Sequence, residues 1–141
     1  VNDVYFPAGQ GLWVKGKDGV SFTSAGEVIL SDFVIALNTG NQLIANPFPV
    51  SVNLTTIIPT GSLATQSRAE IQIQILDKNG KSSATYGYYK GVKTAPFNKG
   101  DGWYQGSNII KADVNDVTFP AGQGMWVKGK DGVTLTFTKP F

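Results

Sequence analysis

The amino-acid sequence predicts an all-β protein: an antiparallel β-sandwich of about ten short strands, for which a jelly-roll arrangement is one option. Three observations lead to this prediction. Seventeen glycines and seven prolines interrupt the 141-residue chain at short intervals. The segments between them are rich in Val, Ile, Thr and aromatic residues, which favour strands. In one segment isoleucines alternate strictly with polar residues, which is the period of a strand with one buried face.

Almost the same stretch of sequence stands at both ends of the chain. Residues 1–21 and 114–134, offset by 113 residues, differ at only three pairs of positions. These pairs are Tyr5/Thr118, Leu12/Met125 and Ser21/Thr134. A period of this length suits a whole domain better than a solenoid unit. We therefore expect residues 29–141 to form one complete β module and residues 1–28 to be the C-terminal meander of a preceding copy, within a longer tandem array.

Each copy consists of three short apolar runs, which in the first copy are "VYFPA", "LWVKG" and "VSFTS", separated by "GQG" and "KDG". Glycine accepts the positive φ angles of tight hairpins, and Asp-Gly is a strong hairpin pair. The pattern therefore predicts a three-stranded meander in each copy. On such a strand Trp13 and Trp126 share a face with the lysine two residues later. We interpret both tryptophans as core or interface packing, with a stacking platform for a sugar ring as the alternative.

Further strands are predicted between the two copies. "SDFVIALN" is one, and "TGNQLIANPFPV" contains another that must end by Asn46-Pro47, because proline cannot donate to a ladder. "SVNLTTIIPTG" suits either a strand or a single helical turn that starts at Ser51. "TAPFNKGDG" is predicted to be a polar loop, and "GWYQGSNII" another short strand.

The clearest element is a hairpin in "AEIQIQILDKNGKSSATYGYYKG". Isoleucines alternate with polar residues along its first strand, so one face should be buried and the other should face water. The predicted buried set is Ile71, Ile73 and Ile75, and the predicted water-facing set is Glu70, Gln72 and Gln74. Asn79-Gly80 supplies the turn between the two strands.

Four motifs in a fixed order carry a resemblance to a known kind of module. They are "GNQLIANPFPV", "IQILDKNGKSSATYGYY", "GWYQG" and "FPAGQGMWVKGKDGVTLTF", which together cover roughly residues 40–137. The chain resembles a repeated β-rich module of large secreted and surface proteins of gut and environmental bacteria. That module carries an N-L-I-x-N-P-F-P segment, then a GQG-x-W-V stretch and a final T-L-T-F strand. The resemblance implies an extracellular, repeated module without a known catalytic role, and it supplies no functional residues.

Aromatic residues around the hairpin and the following glycine-rich loop are the candidate ligand-binding residues. Exposed aromatic rings in such a cluster would suit stacking against a sugar. The candidates are Tyr86, Tyr88, Tyr89, Trp103 and Tyr104. The function expected from the sequence is a structural or adhesive module, and a carbohydrate-binding module that uses this patch is the alternative.

Composition argues against several classes of function. The net charge is only +2 and the lysines are spread along the chain, which argues against nucleic-acid binding. The longest apolar runs are far shorter than the roughly 20 residues of a membrane-spanning helix. The chain contains neither cysteine nor histidine. This removes disulfides, thiolate metal sites, cysteine nucleophiles and Ser-His-Asp triads.

The acidic residues do not form a recognisable catalytic or metal-binding motif. The only glutamates are Glu27 and Glu70, and Glu70 falls on the polar side of a regular strand, so no glycosidase pair is evident. Asp77–Gly80 resembles the start of a calcium loop but lacks the distal glutamate, and we interpret it as a turn. Asn98–Gly102 and Asp113–Asp116 offer carboxylates for a weak metal site at most. We expect no enzymatic activity, no cofactor and no metal.

The first copy should be ordered by packing on something, because its apolar side chains would be costly to leave in water. These side chains are Val4, Phe6, Leu12, Trp13, Val14, Val20 and Phe22. Either it pairs with the rest of the same chain in a pseudo-symmetric sandwich, or it docks on a neighbouring molecule by β-augmentation. The first arrangement is preferred because it needs no partner. Expected partners are neighbouring repeat modules or identical chains, with glycans as a further option, at the cell surface or outside the cell.

Overall fold

The computed structural model describes residues 4–21, 23, 26–64, 68–77 and 79–141. In these residues the chain forms eleven β-strands and one short 3-10 turn, and no α-helix. The strands are β1 Phe33–Ala36, β2 Gly40–Ala45, β3 Val52–Asn53, β4 Ile57–Gly61, β5 Ile71–Leu76, β6 Ser82–Tyr89, β7 Gly102–Gln105, β8 Asn108–Ile109, β9 Thr118–Phe119, β10 Gly124–Gly129 and β11 Val133–Phe137. The predicted all-β class is confirmed.

The strands form three antiparallel sheets around one core. The largest has the order β2-β10-β5-β6-β7-β8, a second has the order β1-β11-β4, and β3 pairs with β9. Along β11, Val133, Leu135 and Phe137 are buried in the same core cluster as Ile71 and Ile73 of β5. The arrangement is sandwich-like, because the apolar face of each larger sheet is buried against the other.

The second copy of the repeat, residues 114–141, does not form the predicted meander. Its three runs become β9, β10 and β11, and each belongs to a different sheet. β10 lies between β2 and β5, and β11 lies between β1 and β4. The meander prediction is wrong because β9, β10 and β11 each pair with strands from elsewhere in the chain and not with one another. The second copy therefore supplies one strand to every sheet and ties the sheets together.

The first copy forms no strand within its described residues. It touches the rest of the chain along the outer edge of β2, where Gln10 forms an isolated antiparallel bridge with Ile44. The Ala45 amide donates a hydrogen bond of 2.8 Å to the Gly9 carbonyl. A three-stranded meander is absent here too, and the two copies do not share a pseudo-symmetric sandwich. The same-chain contact is a short edge pairing.

Most apolar side chains of the first copy are exposed. Trp13 is 65% exposed and Val14 is 58% exposed, although the Trp13 ring lies against the backbone of Gly80 in the β5–β6 turn. The other exposed members are Val4, Tyr5, Phe6, Leu12 and Val20. Phe22, which belonged to the same predicted set, lies outside the described residues.

Both copies nevertheless contain the same two turns. In "PAGQG" the backbone hydrogen bond from glutamine to proline measures 3.1 Å in the first copy and 3.0 Å in the second. In "GKDGV" the bond from valine to lysine measures 3.2 Å and 3.3 Å. The turn glycines are Gly9, Gly19, Gly122 and Gly132, with φ angles of 75°, 80°, 69° and 78°. Glycine is favoured at such angles. Local sequence therefore determines the turns, whereas tertiary context determines the strands.

The predicted hairpin of β5 and β6 is confirmed, including its turn at Asn79-Gly80. Ile71 and Ile73 are fully buried, and Ile75 packs partly against the core. The polar face is only half exposed, which corrects the prediction that it faces water. β5 is an interior strand, flanked by β10 and β6, so its neighbours cover the polar side chains. The half-buried polar set is Glu70, Gln72 and Gln74.

Asn46 is the one buried polar side chain in the described part of the chain. Its Nδ2 donates to the carbonyls of Val50 (2.8 Å), Phe119 (3.0 Å) and Pro120 (3.1 Å), and its Oδ1 accepts from the Phe48 amide (3.0 Å). Burial is tolerated because all of its polar atoms are paired. Asn46 thus fixes the "NPFP" loop to β9. It comes directly after the end of β2, which is where the strand was predicted to end.

The segment "SVNLTTIIPTG" contains both strand and a helical turn, but the turn starts at Leu54 and not at the predicted Ser51. β3 leads into the 3-10 turn Leu54–Thr56, and β4 follows. Asn53 caps this turn, since its Oδ1 accepts from the Thr55 amide at 2.9 Å. Within the described residues, no helix has the length and apolar character needed to cross a bilayer.

Candidate functional site

The five aromatic candidates do not form one exposed patch. Tyr86, Trp103 and Tyr104 are buried, and Tyr88 and Tyr89 are half-buried. The prediction of an exposed patch is therefore wrong for the three buried residues. Successive residues of a strand point to opposite faces, so the candidates are divided between the inside and the outside of the six-stranded sheet.

The inner group consists of Tyr86, Tyr88 and Trp103, which pack in the core. Tyr88 and Trp103 lie opposite each other in the β6–β7 register, with ring centroids 5.3 Å apart in an edge-to-face arrangement. The Trp103 Nε1 donates a hydrogen bond of 2.7 Å to the Ile57 carbonyl, which joins the six-stranded sheet to β4. Burial raises the pKa of Tyr86, and burial and the charge of Asp101 raise the pKa of Tyr88. These side chains hold the sheets together.

The outer group is a cluster of three rings, Tyr89, Phe97 and Tyr104, which we call the outer aromatic cluster. Tyr89 and Phe97 are stacked, with centroids 3.9 Å apart and planes 8° apart. Tyr104 stands edge-on to both rings, at 5.3 Å and 5.6 Å. Its hydroxyl donates to the Gly100 carbonyl at 2.7 Å. Burial raises the pKa of the Tyr104 phenol, so it remains a neutral donor.

Phe97 is a site residue that was not predicted from the sequence, because it lies in the segment predicted to be a polar loop. Residues 90–101 fold over the outer face and bring this ring onto Tyr89. The Asp101 carboxylate accepts a hydrogen bond of 2.6 Å from the Gly91 amide, and Lys99 Nζ donates to the Ser107 carbonyl at 2.9 Å. The sequence signal was a single aromatic residue inside an otherwise polar loop.

Two adjoining depressions border Tyr89 on the outer face, and together we call them the outer groove. One, of about 310 Å³, lies beside the outer aromatic cluster and is also lined by Gln72 and Thr85. The other, of about 560 Å³, is lined by Arg68, Glu70, Gln72, Lys128 and Lys130. The groove therefore combines half-buried rings with amide, hydroxyl and basic groups. Such a combination can stack on a ring and hydrogen-bond its substituents.

Glu70 is held in an ion pair at one end of the outer groove. Lys130 Nζ lies 2.7 Å from Glu70 Oε1, and the other carboxylate oxygen accepts from the Ala64 amide at 2.9 Å. The hydrogen bond from Lys130 holds the pKa of Glu70 below its ordinary value. An ionised carboxylate of lowered pKa is a poor general acid at neutral pH.

The acidic segments considered as metal sites form turns and local contacts. The Asp77 carboxylate accepts from the Asn79 amide (2.8 Å) and the Lys81 amide (2.9 Å), which confirms the turn. The Asp116 carboxylate is hydrogen-bonded by Asn53 Nδ2. In the part of the chain that the structure describes, no three acidic side chains come together to hold a metal ion.

The two tryptophans of the repeat occupy different environments. Trp126 is half-buried in β10, on the outer face of the sheet, opposite Leu43 of β2 and Gln74 of β5. Trp13 extends over the β5–β6 turn and remains mostly exposed. Trp126 thus packs on the outer face of the sheet, and Trp13 contacts the β5–β6 turn at Gly80 while most of its surface stays exposed.

Comparison of the chain with protein-family models, with curated proteins and with solved structures gave no match. The fold and the site define an all-β, sandwich-like module with a shallow groove on its outer face. Any functional conclusion depends on this geometry and on the resemblance carried by the four motifs.

Proposed function

We propose that the chain is a non-catalytic structural module of a repetitive, extracellular bacterial protein, and that it associates with further copies of itself. One observation carries the proposal. The same sequence forms core strands in residues 117–134 and lies outside the core in residues 4–21. A module whose core segment is repeated, with the first copy outside the core and available to a neighbour, is suited to assembly in series.

The exposed apolar side chains of the first copy support association. Phe6, Trp13 and Val14 are each more than half exposed, and exposed apolar side chains that lie close together in the sequence favour association with other chains. The site chemistry supports a role without catalysis, since the one glutamate of the outer groove is neutralised by Lys130. The extracellular and bacterial parts of the proposal depend on the resemblance of residues 40–137 to repeated surface modules.

Sedimentation velocity over a wide concentration range tests the proposal directly. The full chain is expected to associate reversibly as its concentration rises, and a variant with Phe6→Asp and Trp13→Asp is expected to remain monomeric. The control variant Tyr89→Ala, which changes the outer groove and leaves the first copy intact, should associate like the wild type. A wild-type chain that stays monomeric at every concentration would contradict the proposal.

A carbohydrate-binding module is the second candidate, because the outer groove places Tyr89 and Phe97 beside hydrogen-bonding groups. A glycan array with the full chain separates the two functions. For a structural module we expect no glycan signal above that of a denatured control. Specific binding that is lost in Tyr89→Ala and kept in Trp13→Ala would favour the second candidate instead.

A further inference from the structure

We infer that residues 4–21 are a transferable segment that fits the position held by β9 and β10 and the start of β11 in a second copy of this chain. The partner is the framework of that second molecule, defined here as its residues 29–113, and the position is called the slot. This inference rests on the proposed function and deepens it by naming how two copies join when the slot of one of them is not filled by its own second copy. The first copy of one chain would complete the sheets of another.

The apolar residues that the first copy exposes are the ones the slot buries. Val14 is 58% exposed, and its counterpart Val127 is fully buried between β2 and β5. The same contrast holds at three further pairs. These pairs are Phe6 and Phe119, Leu12 and Met125, and Val20 and Val133. Entry into a slot would therefore bury the apolar surface that the first copy now leaves in water.

The three positions at which the copies differ are all compatible with the slot. Thr118 is exposed, so a tyrosine at this position is accommodated. Met125 is fully buried, and leucine is a near volume-conserving replacement for methionine. Thr134 shares a hydroxyl hydrogen bond of 2.9 Å with Thr60, which serine can also make. None of the differences introduces a charge or a cavity.

The two turns of the first copy already have the geometry found in the slot, and few backbone hydrogen bonds hold this copy where it lies. Its two turns have the same hydrogen bonds and glycine φ angles as those of the second copy. Few backbone bonds join it to the outer edge of β2, including the 3.3 Å bond from the Gly11 amide to the Leu43 carbonyl. A depression of about 650 Å³ remains between Phe6 and the loop at Pro47–Pro49. Release from this position would therefore break few backbone hydrogen bonds, together with the contact of Trp13 with Gly80.

The chain's own second copy occupies the slot in preference to the first copy of another molecule, because the two copies differ in sequence beyond residue 134. The sequence has Phe22 and Ser24 where the second copy has Leu135 and Phe137. Phe137 is fully buried and lies 6.2 Å from the Phe33 ring, so serine would leave a cavity. Exchange is therefore expected where a framework lacks a competent second copy.

Co-refolding of two full-length chains tests the exchange. The acceptor carries Val14→Asp and Val127→Asp, so that neither of its own copies can fill a slot, because a buried unpaired charge is costly. The donor is the wild-type chain, and the matched control donor carries Val14→Asp alone, at an exposed position. We expect a one-to-one complex with the wild-type donor and at least about tenfold less with the control donor.

A disulfide reports whether the donor enters the slot in the observed register, since the natural chain has no cysteine. Thr134 pairs with Ala36 between β11 and β1, and Ser21 is the counterpart of Thr134. A donor with Ser21→Cys should cross-link to an acceptor with Ala36→Cys, whereas a donor with Thr23→Cys should cross-link less. Complexes that form equally with both donors, or no complex at all, would overturn the inference. If wild-type self-association persists in that case, the proposed function stands without exchange; if it is also absent, both fail.

Discussion

Val127 and Val14 provide a matched pair for measuring how much burial in the core contributes to the free energy of unfolding, because both lie in the local sequence "WVKGKDGV". Val127 is fully buried, whereas Val14 is 58% exposed. Replacement by alanine removes two methyl groups, which at about 0.8 kcal/mol each is about 1.6 kcal/mol of transfer free energy. The cavity left between Ile73 and Gln42 adds to this, so Val127→Ala should lower the free energy of unfolding by about 2–3 kcal/mol. Val14→Ala should lower it by less than about 0.5 kcal/mol.

Urea titration of both variants, followed by tryptophan fluorescence and by circular dichroism, measures the difference. The slope of the unfolding free energy against urea should be unchanged, so that the midpoints report stability alone. Local propensity cannot account for a difference between the two, since each valine lies in the same eight residues, "WVKGKDGV". Equal losses for the two variants would refute the assignment of residues 117–134 as the core copy.

The remaining predictions concern the hairpin, the buried amide and the ion pair. Ile73→Ala should lower the free energy of unfolding by about 2–5 kcal/mol, and Gln72→Ala, on the other face of β5, should lower it by less than about 1 kcal/mol. A loss below about 0.5 kcal/mol for Ile73→Ala would contradict the assignment of Ile73 to the buried face. Asn46→Ala should cost about 1–3 kcal/mol in a thermal or urea melt, because it leaves buried carbonyls unpaired; a neutral effect would mean that water replaces the amide. The pKa of Glu70 is lowered in the folded state, so its contribution should be fully present above the ordinary value of 4.5 and be lost as pH falls through the folded pKa. Lys130→Met should make the free energy of unfolding less dependent on pH in this acidic range. An unchanged dependence on pH would contradict the ion pair of Glu70 with Lys130.

The sequence predicted what is determined locally. The Asn79-Gly80 turn, the alternation of Ile71 and Ile73, and the end of β2 before Asn46-Pro47 were all correctly placed. Each depends on a residue's own backbone preference or on a two-residue period. Such signals act over a few residues and survive in any fold that contains them.

What the sequence could not provide is the pairing of distant strands. The meander prediction failed because β9, β10 and β11 find partners elsewhere in the chain, and nothing within the repeat specifies those partners. The repeat itself demonstrates the point, since nearly identical residues form three strands in one place and none in the described part of the other. One member of the candidate site, Phe97, was missed for a related reason. Its ring packs against Tyr104, and this contact between a loop and β7 depends on the fold and not on local sequence.

The pairing of β1 with β11 has a mechanical consequence. Phe33, at the start of β1, is opposite Phe137, at the end of β11. In the unit formed by residues 33–137, the chain therefore enters and leaves at the same end of one antiparallel strand pair. Tension applied through these two residues loads the hydrogen bonds one after another, as in peeling, and never all at once, as in shear. The unit should therefore yield at low force, and it would release about 350 Å of chain when it opens. In a series of such units the weakest would extend first, and the array would lengthen stepwise under load while the remaining units stay folded.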